Sequence, residues 1–315
     1  MNYLMLRGLY PKDRKHPDEI FHDSIQQEND VWTELLYAMM GSADTGTVAY
    51  LNGPDRERQY GERFRVVCGK FDHNTPVHFI IARGGFKEYN PVLAAHPHAV
   101  KVYYGAGVRY IPAKTDFTYD MILVDCEEQR KAVLKVYPFA NVQLMVKPAS
   151  HIFHPVEIRK QYDFCFVAIH PSDPRKNVRW VYETVPRSAT VLQLGNAPTF
   201  KVPPNVTVKH IAREKMPKAM SKCRVGICPY TADDSCPRVV PEFMACGLPV
   251  VALKDVSINK QLYLMHTAKK EGFWEAAAAA MHQDLSHVLV HYAQFLSLPA
   301  AAEVMRYYLE GMIHE

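Results

Sequence analysis

Short apolar runs alternate along the chain with amphipathic stretches, and this alternation carries most of what the sequence says about structure. Brief runs rich in Val, Ile, Tyr and Phe predict strands buried in a sheet, and apolar residues at helical spacing between them predict covering helices. In the first half the pattern predicts strands at Tyr3–Arg7, Thr47–Leu51, Phe64–Cys68, Val77–Ala82, Val100–Tyr104, Met121–Asp125 and Val142–Val146, with helices at Asn29–Met40 and Cys126–Tyr137. In the second half the strands fall at Asp163–Ile169, Thr190–Leu194, Val206–His210, Val225–Pro229 and Pro249–Leu253, separated by helices at Lys176–Thr184, Glu214–Ser221 and Arg238–Cys246. Strand and helix alternating in this way give parallel sheets wrapped by helices, one doubly wound unit in each half. KPASHIFHPV, with two prolines between strand patterns, marks the boundary. From Glu271 onward the period is wholly helical.

A length of 315 residues suits two ordinary cores. The expected division is 1–150 as the first domain, 151–285 as the second, and 286–315 as helices packing back on the first. No window is apolar enough for a membrane helix. The start, MNYLMLRGLYPKDRK, reads as a first strand in place of a secretion signal, which implies a cytoplasmic chain. Seven cysteines without a CxxC pair imply reduced, buried thiols and no zinc site. Lys and Arg balance Asp and Glu at 18 each in residues 1–150, so the net charge of +4 falls in the second half. That surplus suits an anionic ligand there and is too small by itself to indicate nucleic acid. The basic run Arg56, Arg58, Arg63, Arg65 and Lys70 alternates with acids and reads as a solvated face.

The chemistry concentrates in RVGICPYTADDSCPRVVPEFMACGLPVVAL, residues 224–253. It reads as strand, loop, short helix, glycine stop and strand, so the loop runs from the carboxyl end of a strand into a helix start, where open α/β sheets bind anions. Pro241 is tolerated only in a first helical turn, which sets the helix start near Arg238, and Gly247 supplies the stop. Amides around Ser235–Val240 then face the crevice, Glu242 can reach ligand hydroxyls, and Asp234 lies just before the helix. Lys176 and Arg175 sit near another helix start, where cations are unfavourable unless an anion joins them.

This run resembles the donor-site signature of retaining nucleotide-sugar glycosyltransferases of the GT-B fold, the group 1 or family 4 type. The match is Asp234, then SCPRVVP, then Glu242, then FMACGLPVVAL. REKMPKAMSKCRVGICPY and DFCFVAIHPSDPRKNV resemble the family's other motifs in the expected order, and the likeness covers 163–253. It implies an α/β GT-B chain with two doubly wound Rossmann-like domains facing a central cleft and C-terminal crossover helices. It also implies that Glu242 holds the nucleotide ribose, Asp234 the hydroxyls of the transferred sugar and Lys176 the donor diphosphate, assisted by Arg175. Further donor contacts are expected from Ser235, Cys236, Pro237, Arg238 and Val239. The chain departs from the family pattern in having aspartate at the first acid, and His170 with a longer PSDPRK loop where an arginine is usual.

Two places in the first half are candidates for the same chemistry. Gly8, after the first strand, is either a plain turn or a point where backbone approaches the sugar phosphate. Arg83, Gly84 and Gly85 end the strand VHFIIARGG and are acceptor or donor contacts. The expected activity is metal-independent, retaining transfer from a nucleotide-diphosphate sugar, such as a UDP-sugar, to the hydroxyl of a glycan or small molecule, with no cofactor beyond the donor. The sequence leaves other readings open: a DNA glycosyltransferase of the phage type, a non-catalytic nucleotide-sugar-binding protein, and an epimerase or phosphorylase.

Overall fold

The computed structural model describes residues 1–7, 31–51, 55–85, 87–105, 119–145, 147–231, 237–254 and 265–312. The chain divides into two units, Met1–Met145 with Leu298–Glu315, and Val146–Ser297.

The first unit contains β1 (Asn2–Arg7), α1 (Val31–Met39), β2 (Thr45–Tyr50), β3 (Arg56–Tyr60), β4 (Phe64–Cys68), β5 (Phe79–Arg83), α2 (Asn90–Ala95), β6 (Val100–Gly105), β7 (Met121–Val124), α3 (Glu127–Val136) and β8 (Val142–Leu144). Among the described residues these strands form one sheet in the order β3-β4-β2-β1-β5-β6-β7-β8. All neighbours are parallel except β3 and β4. The side-chain period of two sorts β1 cleanly between faces. Tyr3 and Met5 join one core with Leu35, Leu36 and Met39 of α1, while Leu4 and Leu6 join another with Val92 and Leu93 of α2. The chain steps outward from β1 through β2 to β4, then returns to the other side of β1 with β5. The strand order therefore reverses between β1 and β5.

β3 was not among the expected strands, because it carries no apolar alternation. It is an edge strand paired antiparallel to β4, with Arg56, Glu57, Arg58 and Gln59 all exposed. Nearby acids balance the basic run: Arg65 lies 3.5 Å from Glu57, and Lys70 lies 3.3 Å from Asp55. Charge on an edge strand discourages pairing with another sheet, which gives this run a local purpose that needs no nucleic acid.

The second unit contains β9 (Tyr162–Ala168), α4 (Val178–Thr184), β10 (Val191–Gly195), β11 (Val206–Lys209), α5 (Met216–Met220), β12 (Cys223–Cys228), α6 (Val239–Ala245), β13 (Val250–Leu253), β14 (His266–Ala268), α7 (Phe273–Ala280) and α8 (Ser286–Phe295). Its strands lie in the order β11-β10-β9-β12-β13-β14, all parallel. Here the order reverses between β9 and β12. One core runs through both faces, from Phe164 and Phe166 of β9 to Phe243 and Met244 of α6 and Phe273 of α7.

The C-terminal division differs from the expected one. Residues 286–297 belong to the second unit: Leu289 and Ala293 of α8 are buried in its core, and Ala149 N donates to Leu296 O at 2.9 Å. Helical period alone could not show which core takes the apolar stripe. The return to the first unit starts with α9 (Leu298–Gly311), whose Leu298, Ala302, Met305 and Leu309 complete the core on the Tyr3 and Met5 face. Among the described residues, no helix is long and apolar enough to cross a membrane, and all six described cysteines are free and buried.

α6 lies close against β12 because Gly226 has no side chain. A Cβ there would stand 2.5 Å from Cγ and Cδ2 of Phe243. Gly226→Ala should therefore overpack this contact and lower the unfolding free energy by about 1–3 kcal/mol. A fall in the denaturant midpoint at unchanged slope checks it, and an unaltered midpoint would mean that the helix shifts at no cost.

Candidate active site

The reversal of strand order between β9 and β12 opens a crevice at the carboxyl ends of those strands, the position where open α/β sheets bind ligands. Two segments meet there, 169–177 leaving β9 and 229–231 leaving β12. They are joined by backbone and side-chain bonds: Thr231 N donates to Arg175 O at 3.0 Å, and Asn177 Nδ2 donates to Pro229 O at 3.1 Å. Asn177 takes a left-handed conformation, φ 53°, which asparagine tolerates better than most residues. It ends a single 3-10 turn, Pro174–Lys176, and begins α4.

Lys176 projects from this turn onto the end of β12. Its Nζ lies 4.0 Å from the ring centroid of Tyr230, whose hydroxyl donates to Val167 O on β9. The buried ring thus spans the two strands at the crevice and holds the ammonium over its face. Tyr230 escaped the sequence reading, although its place directly after the strand VGICP was a usable signal.

Arg175 is turned to a different task. Its Nε donates to Asp173 Oδ1 at 3.0 Å and its Nη2 to Oδ2 at 2.6 Å, while the same carboxylate caps the turn by accepting from Arg175 N at 3.0 Å. The Arg175 side chain holds the Asp173 carboxyl below the ordinary carboxylate range, against burial, which acts to raise it. The guanidinium is thus engaged in stabilising the loop that presents Lys176.

Glu242 lies in the first turn of α6 and is 5% exposed. Arg238 is the N-cap residue, so Pro241 occupies the first turn as expected, and the helix ends in a paired closure at Gly247, φ 74°. There Leu248 N donates to Phe243 O at 3.0 Å and Gly247 N to Met244 O at 2.8 Å. Oε1 of Glu242 is 3.4 Å from Arg238 Nε and 3.8 Å from Arg213 Nη2. Arg213, in the turn before α5, rests on the Phe153 ring at 5.8 Å. It too escaped the sequence reading, since its partner lies far along the chain and no local spacing links them. Glu242 is buried while both arginines stay partly exposed, so the two cations compensate the buried carboxylate and fix it in place.

The expectation of free amides up to Val240 needs correction at that residue. Val240 N donates to Pro237 O at 3.0 Å, because the helix tightens at its start. Pro237 and Val239 are buried beside it. Asp234, Ser235, Cys236 and Gly8 lie outside the described residues. In the first unit, Arg83 closes β5 and is half-buried, with Gly84 and Gly85 following. Among the described residues, no group of three or more His, Cys, Asp or Glu side chains could hold a metal ion.

Residues 161–283 match the family model for group 1 glycosyl transferases, a span from just before β9 to beyond α7. Solved structures match the whole chain. Sucrose-phosphate synthase from Thermosynechococcus elongatus shares 12% identity at a TM-score of 0.71, with 99% of each chain covered. WaaG, a glycosyltransferase involved in lipopolysaccharide biosynthesis, shares 11% identity at a TM-score of 0.63, covering 99% of this chain and 100% of that one. An Escherichia coli trehalose-6-phosphate protein bound with UDP-2-fluoro glucose shares 9% identity at a TM-score of 0.63, covering 98% and 99%. A search of curated protein sequences finds no match. Residues 161–283 are therefore a group 1 glycosyltransferase domain, and the chain has the GT-B fold.

Asp173 offers a test of the loop that carries Lys176. Its folded-state pKa lies below its unfolded value, about 3.9. Its contribution to stability is therefore complete above the ordinary carboxylate range and is lost as pH falls through the depressed value. Asp173→Asn should cost up to about 1 kcal/mol near neutrality, and the difference should vanish in strong acid. Thermal melting of both proteins from neutral to acid pH measures this, and a gap that widens toward acid would contradict it.

Proposed function

We propose that the protein transfers a sugar from a nucleotide-diphosphate donor to an acceptor hydroxyl, with retention of anomeric configuration and without an obligatory metal ion. The donor binds the second unit and the acceptor the first. The observation that carries this reading is Lys176 held over Tyr230 at the reversal of strand order. Cleaving the bond to a nucleoside diphosphate puts negative charge on the leaving oxygen, and catalysis requires positive charge placed beforehand where that charge develops. A unit charge pair at 4 Å is worth about 4 kcal/mol at an effective dielectric near 20. A helix terminus supplies roughly 0.3–2 kcal/mol, so the lysine outweighs the start of α6.

Glu242, fixed by Arg238 and Arg213, accepts hydrogen bonds from the ribose hydroxyls. The role of Asp234 toward the transferred sugar rests on the sequence resemblance. A covalent double displacement needs two carboxylates flanking the anomeric carbon. Glu242 is committed to its arginines instead, which favours a route in which the departing phosphate takes the acceptor proton on the face it leaves. The UDP-sugar bound in the structurally similar trehalose-6-phosphate protein supports a UDP-sugar as the first donor to try.

Turnover of a panel of nucleotide sugars, followed as released nucleotide with EDTA present and absent, tests the proposal. Lys176→Ala should weaken UDP binding by about ten- to a hundredfold, the value of a hydrogen bond to a charged group, with an unchanged melting temperature. Equal UDP affinity in wild type and variant, or turnover that EDTA abolishes, would overturn the corresponding part of the reading.

A further inference from the structure

The second unit carries a pocket on the flank of α4 that the donor chemistry leaves unused. It encloses about 280 Å³ between α4 and the connection from β10 to β11, lined by Arg179, Tyr182 and Glu183 on one side and Phe200, Lys201 and Pro203 on the other. Arg179, Tyr182 and Glu183 recur at helical spacing and so share one face of α4. Lys176, Tyr230, Arg213 and Glu242 are not among the lining residues. Pockets for drug-sized ligands measure roughly 300–1,000 Å³, so this one suits a smaller molecule.

Its walls are fixed before any ligand arrives. The Tyr182 hydroxyl donates to Gln193 Oε1 at 2.6 Å, and Gln193 Nε2 donates to Asn196 O at 2.8 Å, which pins the start of the connection. Burial pushes the Tyr182 phenol up to about 12, so it keeps the proton it donates. At the far end, Asn205 Nδ2 donates to Ala189 O at 2.8 Å and Val206 N to Pro203 O at 3.0 Å. Phe200 packs at 69° to Tyr182 with ring centroids 5.6 Å apart, and Arg179 Cζ lies 5.1 Å from the Phe200 centroid.

The charges of the pocket are kept apart. Arg179 and Glu183 lie four residues apart on α4, a spacing at which opposite charges meet on a helix. Arg306 and Glu310, in the same order on α9, do meet at 3.2 Å. Arg179 is drawn onto Phe200 instead. Among the described residues, Arg179, Glu183 and Lys201 form no ion pair, and all three are exposed. A guanidinium held by ring stacking presents its donor fork ready for carboxylate or phosphate oxygens. Lys201 adds a second cation from the opposite wall, and the Glu183 carboxylate accepts from hydroxyl donors.

We propose that this pocket binds a small polyhydroxylated anion, a sugar phosphate or sugar acid, at a site separate from the donor crevice. Arg179 and Lys201 take the anionic group, and Glu183 accepts from the hydroxyls. The inference uses none of the residues assigned to the donor and stands whether or not that assignment does.

Calorimetric titration of the whole chain should compare glucose 6-phosphate, glucuronate, glucose and inorganic phosphate. At least one of the two sugar anions should bind tenfold or more tightly than glucose, and the tighter one tells phosphate from carboxylate. Arg179→Gln and Lys201→Gln should each weaken that binding about tenfold, whereas Lys176→Ala should leave it unchanged. Glu183→Ala should weaken the sugar anion while inorganic phosphate binds no worse. All three pocket positions are exposed, so these variants should melt as wild type does. Sugar anions that bind no tighter than glucose, or a preference that survives both Arg179→Gln and Lys201→Gln, would overturn the inference. Binding abolished by Lys176→Ala would move the anion to the donor crevice and overturn it as well. Tighter binding of sugar anion and inorganic phosphate alike in Glu183→Ala would refute the recognition of hydroxyls.

Discussion

The amide of Thr231 donates to the carbonyl of Arg175, and the side chain of Asn177 donates to the carbonyl of Pro229. These two bonds tie the segments leaving β9 and β12, and the placement of Lys176 at that end of the sheet follows from them. With the loops joined, Lys176 has the face of Tyr230 beneath it, and the Asp173–Arg175 pair braces the turn from behind. A lysine on a loose surface loop would spread its charge over many positions. Here the flexible stem is confined by an aromatic ring that is itself anchored to the neighbouring strand.

The fold was readable because parallel sheets write themselves as dense apolar runs, and the central strands β1, β4, β5, β6, β9 and β12 all do so. β3 was invisible for the opposite reason: an edge strand with exposed arginines carries no burial signal, and only its partner β4 defines it. The position of α8 was likewise hidden, since an apolar stripe shows that a helix is covered without showing by what. At the site, Pro241 and Gly247 bracketed α6 correctly from covalent constraints alone. The roles of the cations were harder. Arg175 and Lys176 are adjacent in sequence and look equivalent there, yet one is bound to Asp173 and the other rests on Tyr230. Arg213 belongs with Glu242 through a contact that only folding creates.

The two units solve the same placement problem with different chemistry. Each puts cations where its strand order reverses: Lys176 rests on Tyr230 in one, and Arg7 and Arg83 close β1 and β5 in the other. In the second unit the charge arrives on a loop and is positioned by aromatic packing. In the first it arrives on the strands themselves, so the sheet register sets its geometry. The close approach of α6 to β12 across Gly226 seats Phe243, the neighbour of the buried Glu242, directly against the sheet.

The first unit is assembled from both ends of the polypeptide. Its face around Tyr3 and Met5 is sealed by α9, whose residues are made only after the entire second unit has been synthesised. During synthesis the part of that apolar face that α1 does not cover therefore has to wait while some 150 intervening residues are made. A chain cut just before Leu298 would keep the whole second unit but leave the first unsealed, a state that exposes sticky surface and invites chaperones or neighbouring chains.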